Sequence, residues 1–239
     1  MARTRRIVVF TGDLSYATRK CIRLIDKRFP GVAWLILIHT PQGSLASTLK
    51  AQWRNLRRDG WRRIRDIGYT LRDRIRAATS TPTPPGAPGT EFSFEELIKL
   101  PNLKILSYTS INSPAAVRSV TAFNPDLGLS LAAPILKKRI FDIPVLGTLN
   151  LHKGRVPEYR GMPPAFWELW NGEVSVGCTV HWVEERLDAG AVAMSSQIAR
   201  EKYSTTKGLQ LRLDELGNEL VINAIVSINQ GETVRTPQR

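Results

Sequence analysis

The chain has 239 residues, of which 42% are apolar and 23% are charged, so it is long enough and apolar enough to fold around a complete core. No stretch reaches the roughly 20 apolar residues of a membrane span, and the basic N-terminal residues lead directly into a predicted strand rather than a signal sequence, so we expect a cytoplasmic protein with no membrane partner. The formal net charge of +13 favours anionic partners such as nucleic acid, nucleotides or polyanionic cofactors.

The start of the chain has the pattern strand, helix, strand. Residues 6–11 predict a buried strand, residues 14–29 a helix, and residues 32–39 a second strand. This rhythm is typical of a parallel α/β sheet, whose ligands bind at the carboxyl ends of the strands. Gly12 and Asp13 follow the first strand, so we expect them to border a substrate, although no glycine-rich phosphate-binding motif surrounds them.

An arginine-rich stretch interrupts this rhythm. Between Lys50 and Arg76 there are nine Arg and one Lys against three Asp. Apolar residues at helical spacing predict an amphipathic helix or a broken helix pair, with the arginines on the other face. That face is either a solvated surface or a surface for RNA, acidic lipid or an anionic substrate. Together with the Pro-rich residues 79–90, which predict an exposed loop, residues 43–92 form a basic insertion into the sheet domain.

Strands and helices alternate again after the insertion. Ser113 predicts the N-cap of a helix that starts at Pro114. The other predicted elements are strands at 104–108, 126–131, 146–152, 177–183 and 191–198, a turn at 132–136, a helix at 163–171, and a long helix at 205–228 followed by a loose tail. We therefore predict a single α/β domain over residues 1–239. It has a Rossmann-like, mostly parallel sheet flanked by helices, the Arg-rich insertion, and a C-terminal helix and tail at 199–239.

A polar trio stands out in the apolar second half of the chain. Asn150 and His152 lie on the same face of one predicted strand, because side chains alternate with a period of two. Asp188 follows the next predicted strand, where its carboxylate would orient the imidazole. By spacing alone, the trio fits a structural histidine as well as an acid/base site. Cys21 and Cys178 are isolated thiols in apolar segments, so neither a metal cluster nor a disulfide framework is expected.

Ordered motifs surround this trio. They are Asn150-Leu-His152, Pro157-Glu-Tyr-Arg-Gly161, Trp170-Asn-Gly-Glu173, Gly177-Cys-Thr-Val-His181 and Leu187-Asp-Ala-Gly190. Together they resemble the signature of the formyltransferases that use 10-formyltetrahydrofolate. That family includes methionyl-tRNA formyltransferase, glycinamide ribonucleotide formyltransferase and the amino-sugar N-formyltransferases. The strand and turn that precede the motifs agree with the resemblance.

The resemblance implies roles for the trio. Asn150, His152 and Asp188 match the family's catalytic Asn, His and Asp. An amine attacks the formyl carbon, so an amide and an imidazolium that donate hydrogen bonds would stabilise the oxyanion. His152 would also move a proton between the amine and N10 of the folate, while Asp188 holds its tautomer or orders a water. His181 recurs in the family motif, and we expect it to be structural.

The resemblance also implies where the substrates bind. The pterin ring would lie between the turn at 132–136 and the loop before Asp188, and the loop after His152 would border both substrates. The expected folate-binding residues are Ala132, Ala133, Pro134, Ile135, Leu136, Glu184, Glu185 and Leu187. The expected acceptor-binding residues are Gly12, Asp13, Lys153, Arg155, Tyr159 and Arg160. Tyr159 and Arg160 fit a structural turn equally well.

Departures from the family pattern bear on the acceptor. Lys153 and Arg155 place two cations beside His152 where many members have uncharged residues, which indicates an anionic acceptor or contact with the glutamate tail of the folate. The stretch after the first strand lacks the phosphate-binding loop of the glycinamide ribonucleotide enzymes, which disfavours purine synthesis. Too few residues follow Ile198 for the C-terminal barrel of the tRNA enzymes, so only the Arg-rich insertion favours RNA.

The expected function is therefore transfer of a formyl group from 10-formyltetrahydrofolate to a primary amine of a small anionic acceptor. An amino sugar on a nucleotide is the first candidate, and no metal is required. The alternatives are a 10-formyltetrahydrofolate hydrolase that uses the same trio with water, a tRNA-directed relative, and a non-enzymatic RNA-binding role through the insertion. The resemblance is also compatible with a homodimer.

Overall fold

One β-sheet organises the molecule. The computed structural model describes residues 4–40, 92–161, 165–200, 206–232 and 235–238. Within them, the strands are β1 (Arg6–Thr11), β2 (Ala33–His39), β3 (Leu103–Tyr108), β4 (Leu127–Leu131), β5 (Thr148–His152), β6 (Ser175–Trp182) and β7 (Val192–Ala199). The strand order is β3-β2-β1-β4-β5-β6-β7. Strands β1 to β5 are parallel to one another, and the β5–β6 and β6–β7 pairs are antiparallel. This arrangement confirms the predicted Rossmann-like, mostly parallel sheet.

Helices cover both faces of this sheet. They are α1 (Tyr16–Arg28), α2 (Phe94–Leu97), α3 (Pro114–Phe123), α4 (Lys138–Phe141), α5 (Phe166–Trp170) and α6 (Thr206–Gln230). Local sequence sets their ends, as α3 illustrates. The Ser113 side chain accepts a hydrogen bond from the Ala116 N–H, Pro114 occupies the first turn, and Asn124 ends the helix in the left-handed conformation.

The core consists of two apolar layers, one on each face of the sheet. Ile7 and Val9 of β1 face the layer that α1 and α6 cover. The alternate residues Val8 and Phe10 face the layer that α3 and α4 cover. All four side chains are fully buried. A strand covered on both faces reads as a continuous apolar run, which is why β1 is easy to predict from sequence.

The change from parallel to antiparallel pairing occurs at β5. In the β5–β6 pair, Asn150 lies opposite His181 and His152 lies opposite Thr179. The two polar residues of β5 are therefore set beside the polar residues of β6, at the carboxyl end of the parallel strands. This is the edge at which open α/β sheets bind ligands.

The C-terminal segment differs from the sequence prediction. The tail after Gly231 was expected to be loose, but Thr236 exchanges two backbone hydrogen bonds with Val192, with N–O distances of 2.7 and 2.9 Å. The Gln238 side chain is also hydrogen-bonded to the loop before β7. The segment has no apolar periodicity, so its sequence pattern contains no sign of this pairing. The partner is the backbone at the start of β7.

Two predictions fall partly or wholly beyond the described residues. Residues 41–91, and with them Lys50 to Arg76, lie outside the described residues, so the basic insertion and the single-domain organisation stay predictions. In the ranges that the structure describes, no helix combines the length and the apolar character needed to cross a membrane.

Candidate active site

The structure brings the predicted catalytic trio together. Asn150 and His152 lie at the end of β5, and Asp188 lies in the loop between β6 and β7. The distance between His152 Nδ1 and Asp188 Oδ2 is 3.8 Å, and both side chains are nearly buried, at 8% and 11% exposed. Bulk water is therefore largely excluded from the space between the imidazole and the carboxylate.

His181 belongs to the same cluster. Its Nε2 lies 3.1 Å from Asn150 Nδ2 and 3.5 Å from Asp188 Oδ1. Its Nδ1 lies 3.0 Å from the Trp182 carbonyl oxygen, which can only accept, so Nδ1 carries a hydrogen. A neutral His181 ring then accepts from Asn150 through Nε2, whereas a protonated ring donates to Asp188 instead.

The prediction that His181 is structural stays a prediction, and the structure adds which side chains His181 meets, those of Asn150 and Asp188. The antiparallel register of β5 and β6 places His181 directly opposite Asn150. Knowing this register would have been enough to predict the contact between Asn150 and His181. The register depends on the direction of β6, and the spacing of the motifs does not reveal that direction. We infer that His181 orients the side chains of Asn150 and Asp188.

The loop after His152 fixes the position of its ring. His152 Nε2 lies 2.7 Å from the Tyr159 carbonyl oxygen, so this nitrogen donates to it. Gly154 packs against the imidazole, and a Cβ built on it would lie 2.7 Å from Nε2 and 2.6 Å from the same carbonyl oxygen. Only glycine fits there. Both ring nitrogens of His152 thus face oxygen atoms, those of Tyr159 and Asp188.

Asp188 is held in an unusual backbone conformation. Its φ angle is 49°, in the left-handed region that costs a non-glycine residue about 1–2 kcal/mol. The Gly161 N–H donates to Oδ2 over 3.0 Å, and Arg160 Nε donates to the Asp188 carbonyl oxygen over 3.2 Å. These bonds from the Tyr-Arg-Gly turn compensate the strain and aim the carboxylate at the two histidines.

The surroundings of Asp188 keep it ionised. Burial by itself raises the pKa of the carboxyl group. The hydrogen bond from His181, the charge of His152 and the Gly161 N–H outweigh burial, so this pKa lies below its ordinary value. A carboxylate between two imidazoles is suited to orient them and to stabilise a positive charge on either one.

Comparison with known proteins identifies the family to which this arrangement belongs. The sequence model described as "Formyl transferase" matches residues 79–225, which is more than half of the chain. This chain belongs to the formyl transferase family. The family inferred from the motifs around Asn150, His152 and Asp188 is thereby confirmed.

Methionyl-tRNA formyltransferases are among the curated relatives of this chain. The protein from Flavobacterium johnsoniae is 34% identical over 137 residues, covering 57% of this chain and 44% of the relative. The protein from Methylacidiphilum infernorum is 34% identical over 130 residues, covering 54% of this chain and 41% of the relative. The chain thus spans less than half the length of these relatives.

Solved structures share the fold at low identity. Glycinamide ribonucleotide transformylase 1 from Symbiobacterium toebii superposes with a TM-score of 0.63 at 17% identity, covering 99% of this chain and 93% of that one. A sugar N-formyltransferase from Shewanella sp. FDAARGOS_354 superposes with a TM-score of 0.59 at 14% identity, covering 97% and 72%. These similarities support the fold and leave the acceptor open.

The two cations that break the family pattern are paired within the chain. Lys153 forms an ion pair with Asp214 of α6. Arg155 Nη2 lies 2.9 Å from Glu173 Oε1, and the Tyr159 hydroxyl donates to the same carboxylate oxygen over 2.6 Å. Each cation thus has a carboxylate partner within the chain, and the binding of an anionic acceptor by Lys153 and Arg155 stays a prediction.

The predicted folate-binding residues lie in two segments, the turn after β4 and the loop after β6. Ala132 follows β4 with a φ angle of 52° and begins the turn that continues through Ala133 and Pro134. In this turn Ile135 is 69% exposed, while Leu136 is buried. From the loop after β6, Leu187 is 56% exposed, beside the exposed Glu184 and Glu185. Two large apolar side chains thus face solvent in the segments predicted to hold the pterin.

Gly12 and Asp13 connect to this turn from β1. The Gly12 N–H donates to the Ala132 carbonyl oxygen over 3.0 Å. A Cβ on Gly12 would meet the same oxygen at 3.0 Å. The Asp13 carboxylate accepts from the Ser15 N–H, so it is engaged at the start of α1. Their role in binding the acceptor stays a prediction.

Replacing Glu168 with glutamine is expected to stabilise the protein at neutral pH. Glu168 is 2% exposed, and its Oε1 has no hydrogen-bond partner among the described residues. Burial, the largest effect, raises the pKa of this carboxyl above its ordinary 4.5. As the pH rises from 4.5 through the raised pKa, the folded protein retains a proton that the unfolded chain releases, so the wild type loses stability. Each unit of upward pKa shift corresponds to about 1.4 kcal/mol.

Urea unfolding at pH 4 and pH 7 measures this effect. The gain in unfolding free energy for Glu168→Gln should be larger at pH 7 than at pH 4, and Glu158→Gln, the same substitution at an exposed position, is measured beside it as the control. A Glu168→Gln gain that does not grow with pH would contradict a protonated carboxyl in the core.

Proposed function

We propose that this protein transfers a formyl group from 10-formyltetrahydrofolate to a primary amine of a small acceptor. The observation that carries the proposal is the convergence of Asn150, His152 and Asp188 in a member of the formyl transferase family. The position of His181 adds support, because its Nε2 lies beside both the Asn150 amide and the Asp188 carboxylate and can bond either one according to its protonation.

Asn150 is the residue that stabilises developing negative charge. Its amide nitrogen has two hydrogens, and a neutral His181 accepts one of them. The second hydrogen remains for an oxygen atom that gains charge during acyl transfer. A donor that is already oriented before the reaction stabilises such an oxygen most effectively, because it does not reorganise during the step.

His152 is the residue that moves protons, and Asp188 supports it. The acceptor amine must lose a proton, and N10 of the folate must gain one, so the site needs a group that exchanges protons near neutral pH. His152 meets this need, and Asp188 stabilises its positive form. Because His152 Nε2 donates to the Tyr159 carbonyl oxygen, proton exchange through Nε2 requires the loop at 153–161 to release that bond.

The exposed apolar side chains of Ile135 and Leu187 fit a folate. A planar pterin would remove both from water, and the backbone of the turn after Ala132 offers polar groups to its edge. When bound, 10-formyltetrahydrofolate supplies the formyl group. The chain's contribution is to hold its reacting end beside Asn150 and His152.

The acceptor we propose to test first is an amino sugar on a nucleotide. The internal ion pairs of Lys153 and Arg155 weaken the argument from free positive charge, so neutral amino sugars belong in the same screen. Among the relatives, the sequence matches are methionyl-tRNA formyltransferases, while the structural matches include glycinamide ribonucleotide and sugar enzymes. All three acceptor types are therefore included.

The test is a screen with tetrahydrofolate release as the readout. Purified protein is incubated with 10-formyltetrahydrofolate alone and with nucleotide-linked amino sugars, free amino sugars, glycinamide ribonucleotide or charged methionyl-tRNA, and mass spectrometry identifies the formylated product. Release that requires a small amine supports the proposal. Equal release without an amine would identify a hydrolase, and a product formed only from methionyl-tRNA would replace the proposed acceptor.

Nucleic-acid binding through Lys50 to Arg76 is tested separately. If the arginines bind RNA, affinity should fall steeply with salt and persist in His152→Ala, because phosphate contacts release counterions and do not need the catalytic site. Absence of binding at about 50 mM salt would remove this role.

A further inference from the structure

The C-terminal segment Arg235–Gln238 lies against the loop that contains Asp188. Two anchors fix the segment upstream of Gln238. The Arg235 guanidinium stacks on the Trp182 ring at 4.0 Å, and Thr236 pairs with the backbone of Val192. The chain beyond β7 and α6 thus returns to the loop that contains Asp188, where the Gln238 side chain reaches the Asp188 backbone.

Gln238 makes hydrogen bonds with both of its polar atoms. Its Oε1 accepts from Arg160, at 3.1 Å from Nε and 2.5 Å from Nη2. Its Nε2 donates to the carbonyl oxygens of Asp188 and Gly190, at 2.9 and 2.7 Å. The opposite amide orientation would place an NH2 group against the guanidinium and an oxygen against two carbonyls. Only the observed orientation satisfies this network.

The hydrogen bonds of Gln238 and Arg160 meet at the strained backbone of Asp188. Asp188 has a positive φ angle, and its carbonyl oxygen accepts from both Arg160 and Gln238. Gly190 is packed so closely that a Cβ on it would lie 1.8 Å from the Trp182 carbonyl oxygen. The direction of the Asp188 carboxylate therefore depends on contacts to the backbone around it, and Gln238 supplies two of these contacts.

We propose that Gln238 is a positioning residue for the formyl-transfer site, which it serves by locking Arg160 and the Asp188–Gly190 backbone into one arrangement. This inference rests on the proposed function. Gln238 acts through Arg160 and Asp188 and does not itself contact the reacting atoms. Small displacements of a catalytic group are costly, since about 1 Å of misplacement can reduce turnover about a hundredfold.

Three variants separate this role from a general effect on folding. Gln238→Ala removes all the bonds. Gln238→Glu keeps an acceptor for Arg160 but replaces the donor to the Asp188 and Gly190 carbonyls with a second oxygen. Gln197→Ala is the matched control, because Gln197 is an exposed glutamine on β7 whose side chain is also hydrogen-bonded, to Ser175. Ser175 is six residues along β6 from His181, a separation of about 20 Å.

The expected kinetic result is a fall in kcat of about tenfold to a hundredfold in Gln238→Ala and in Gln238→Glu, with the KM for the folate within about twofold of wild type. The kcat of the double variant that combines Gln238→Ala with Arg160→Ala should be no lower than that of the slower single variant, because both residues act on the same backbone. Gln197→Ala should retain wild-type rates. Equal rates in Gln238→Ala and wild type, or a change confined to KM, would overturn the proposal.

A second readout does not depend on activity. The sequence has three histidines, so the imidazole resonances of His39, His152 and His181 can be followed individually by NMR. Gln238→Ala should shift the His152 and His181 resonances and leave the His39 resonance unchanged. Gln197→Ala should leave all three resonances unchanged. Unchanged His152 and His181 resonances would refute the positioning role even if no acceptor is found. If Gln238→Ala shifts the His152 and His181 resonances but the wild type transfers no formyl group, the proposed function is refuted and the positioning role of Gln238 is not.

Discussion

Replacing His152 with alanine is expected to lower kcat for formyl transfer about a thousandfold, because the site loses the imidazole that faces Asp188 and that we propose exchanges protons with the amine. Tetrahydrofolate release under saturating substrates measures the loss. Folate affinity, measured by calorimetry with tetrahydrofolate, should remain within a few-fold of wild type, because the exposed surface around Ile135 and Leu187 is untouched.

The third histidine provides the matched control for this variant. His39 ends β2, which β1 and β4 separate from β5, so the two positions are about 14 Å apart across the sheet. His39→Ala should retain most of the turnover. Wild-type rates in His152→Ala would refute the proposed mechanism, and a parallel loss in both variants would point to a general effect on folding.

The sequence predicts the fold well wherever one physical cause dominates. Strand β1 matches its predicted bounds because it is apolar on both faces, and α3 starts at Pro114 because Ser113 caps it. These are local effects of burial and capping. The order of strands beyond β5 depends instead on how β6 reverses direction, and no local pattern encodes that reversal.

The site shows the same difference between features set by local sequence and features set by long-range contacts. Asn150 and His152 share a face because of strand periodicity, so their proximity could be predicted. The contact of His181 with Asn150 depends on cross-strand register, and the bonds of Gln238 depend on the return of a distant segment. Lys153 and Arg155 are predicted to face an anionic acceptor because they depart from the family pattern beside His152, and that departure does not reveal their carboxylate partners Asp214 and Glu173.

The difference between local and long-range contacts explains which features of the site the sequence reveals. Motifs whose residues lie close together along the chain identified the family and the trio. The side chains that contact the trio and the loops beside it come from β6, from α6 and from the C-terminal segment, and each is a polar residue far along the chain from its partner. Long-range hydrogen bonds between polar groups contribute to the geometry of the site without leaving a periodic signal in the sequence.

Replacing Asp188 with asparagine is expected to lower kcat by about a hundredfold to a thousandfold while keeping the volume of the side chain. The amide retains an acceptor for the Gly161 N–H, but it cannot balance a positive charge on His152 or His181. The defect should therefore appear in kcat more than in the KM for the folate, and Asp188→Glu should not rescue it, because a longer side chain cannot meet both histidines from the same strained backbone.

The pH dependence of stability gives an independent test of the same carboxylate. The pKa of Asp188 is lowered from 3.8 in the folded protein, so the ionised group contributes stability that is fully present above 3.8 and is lost as the pH falls through the folded-state pKa. The amide that Asp188→Asn introduces cannot titrate, so the wild type should exceed this variant in unfolding free energy by more at pH 6 than at pH 3. A difference that grows as the pH falls would mean that burial dominates and that Asp188 is not held as an anion between the two histidines.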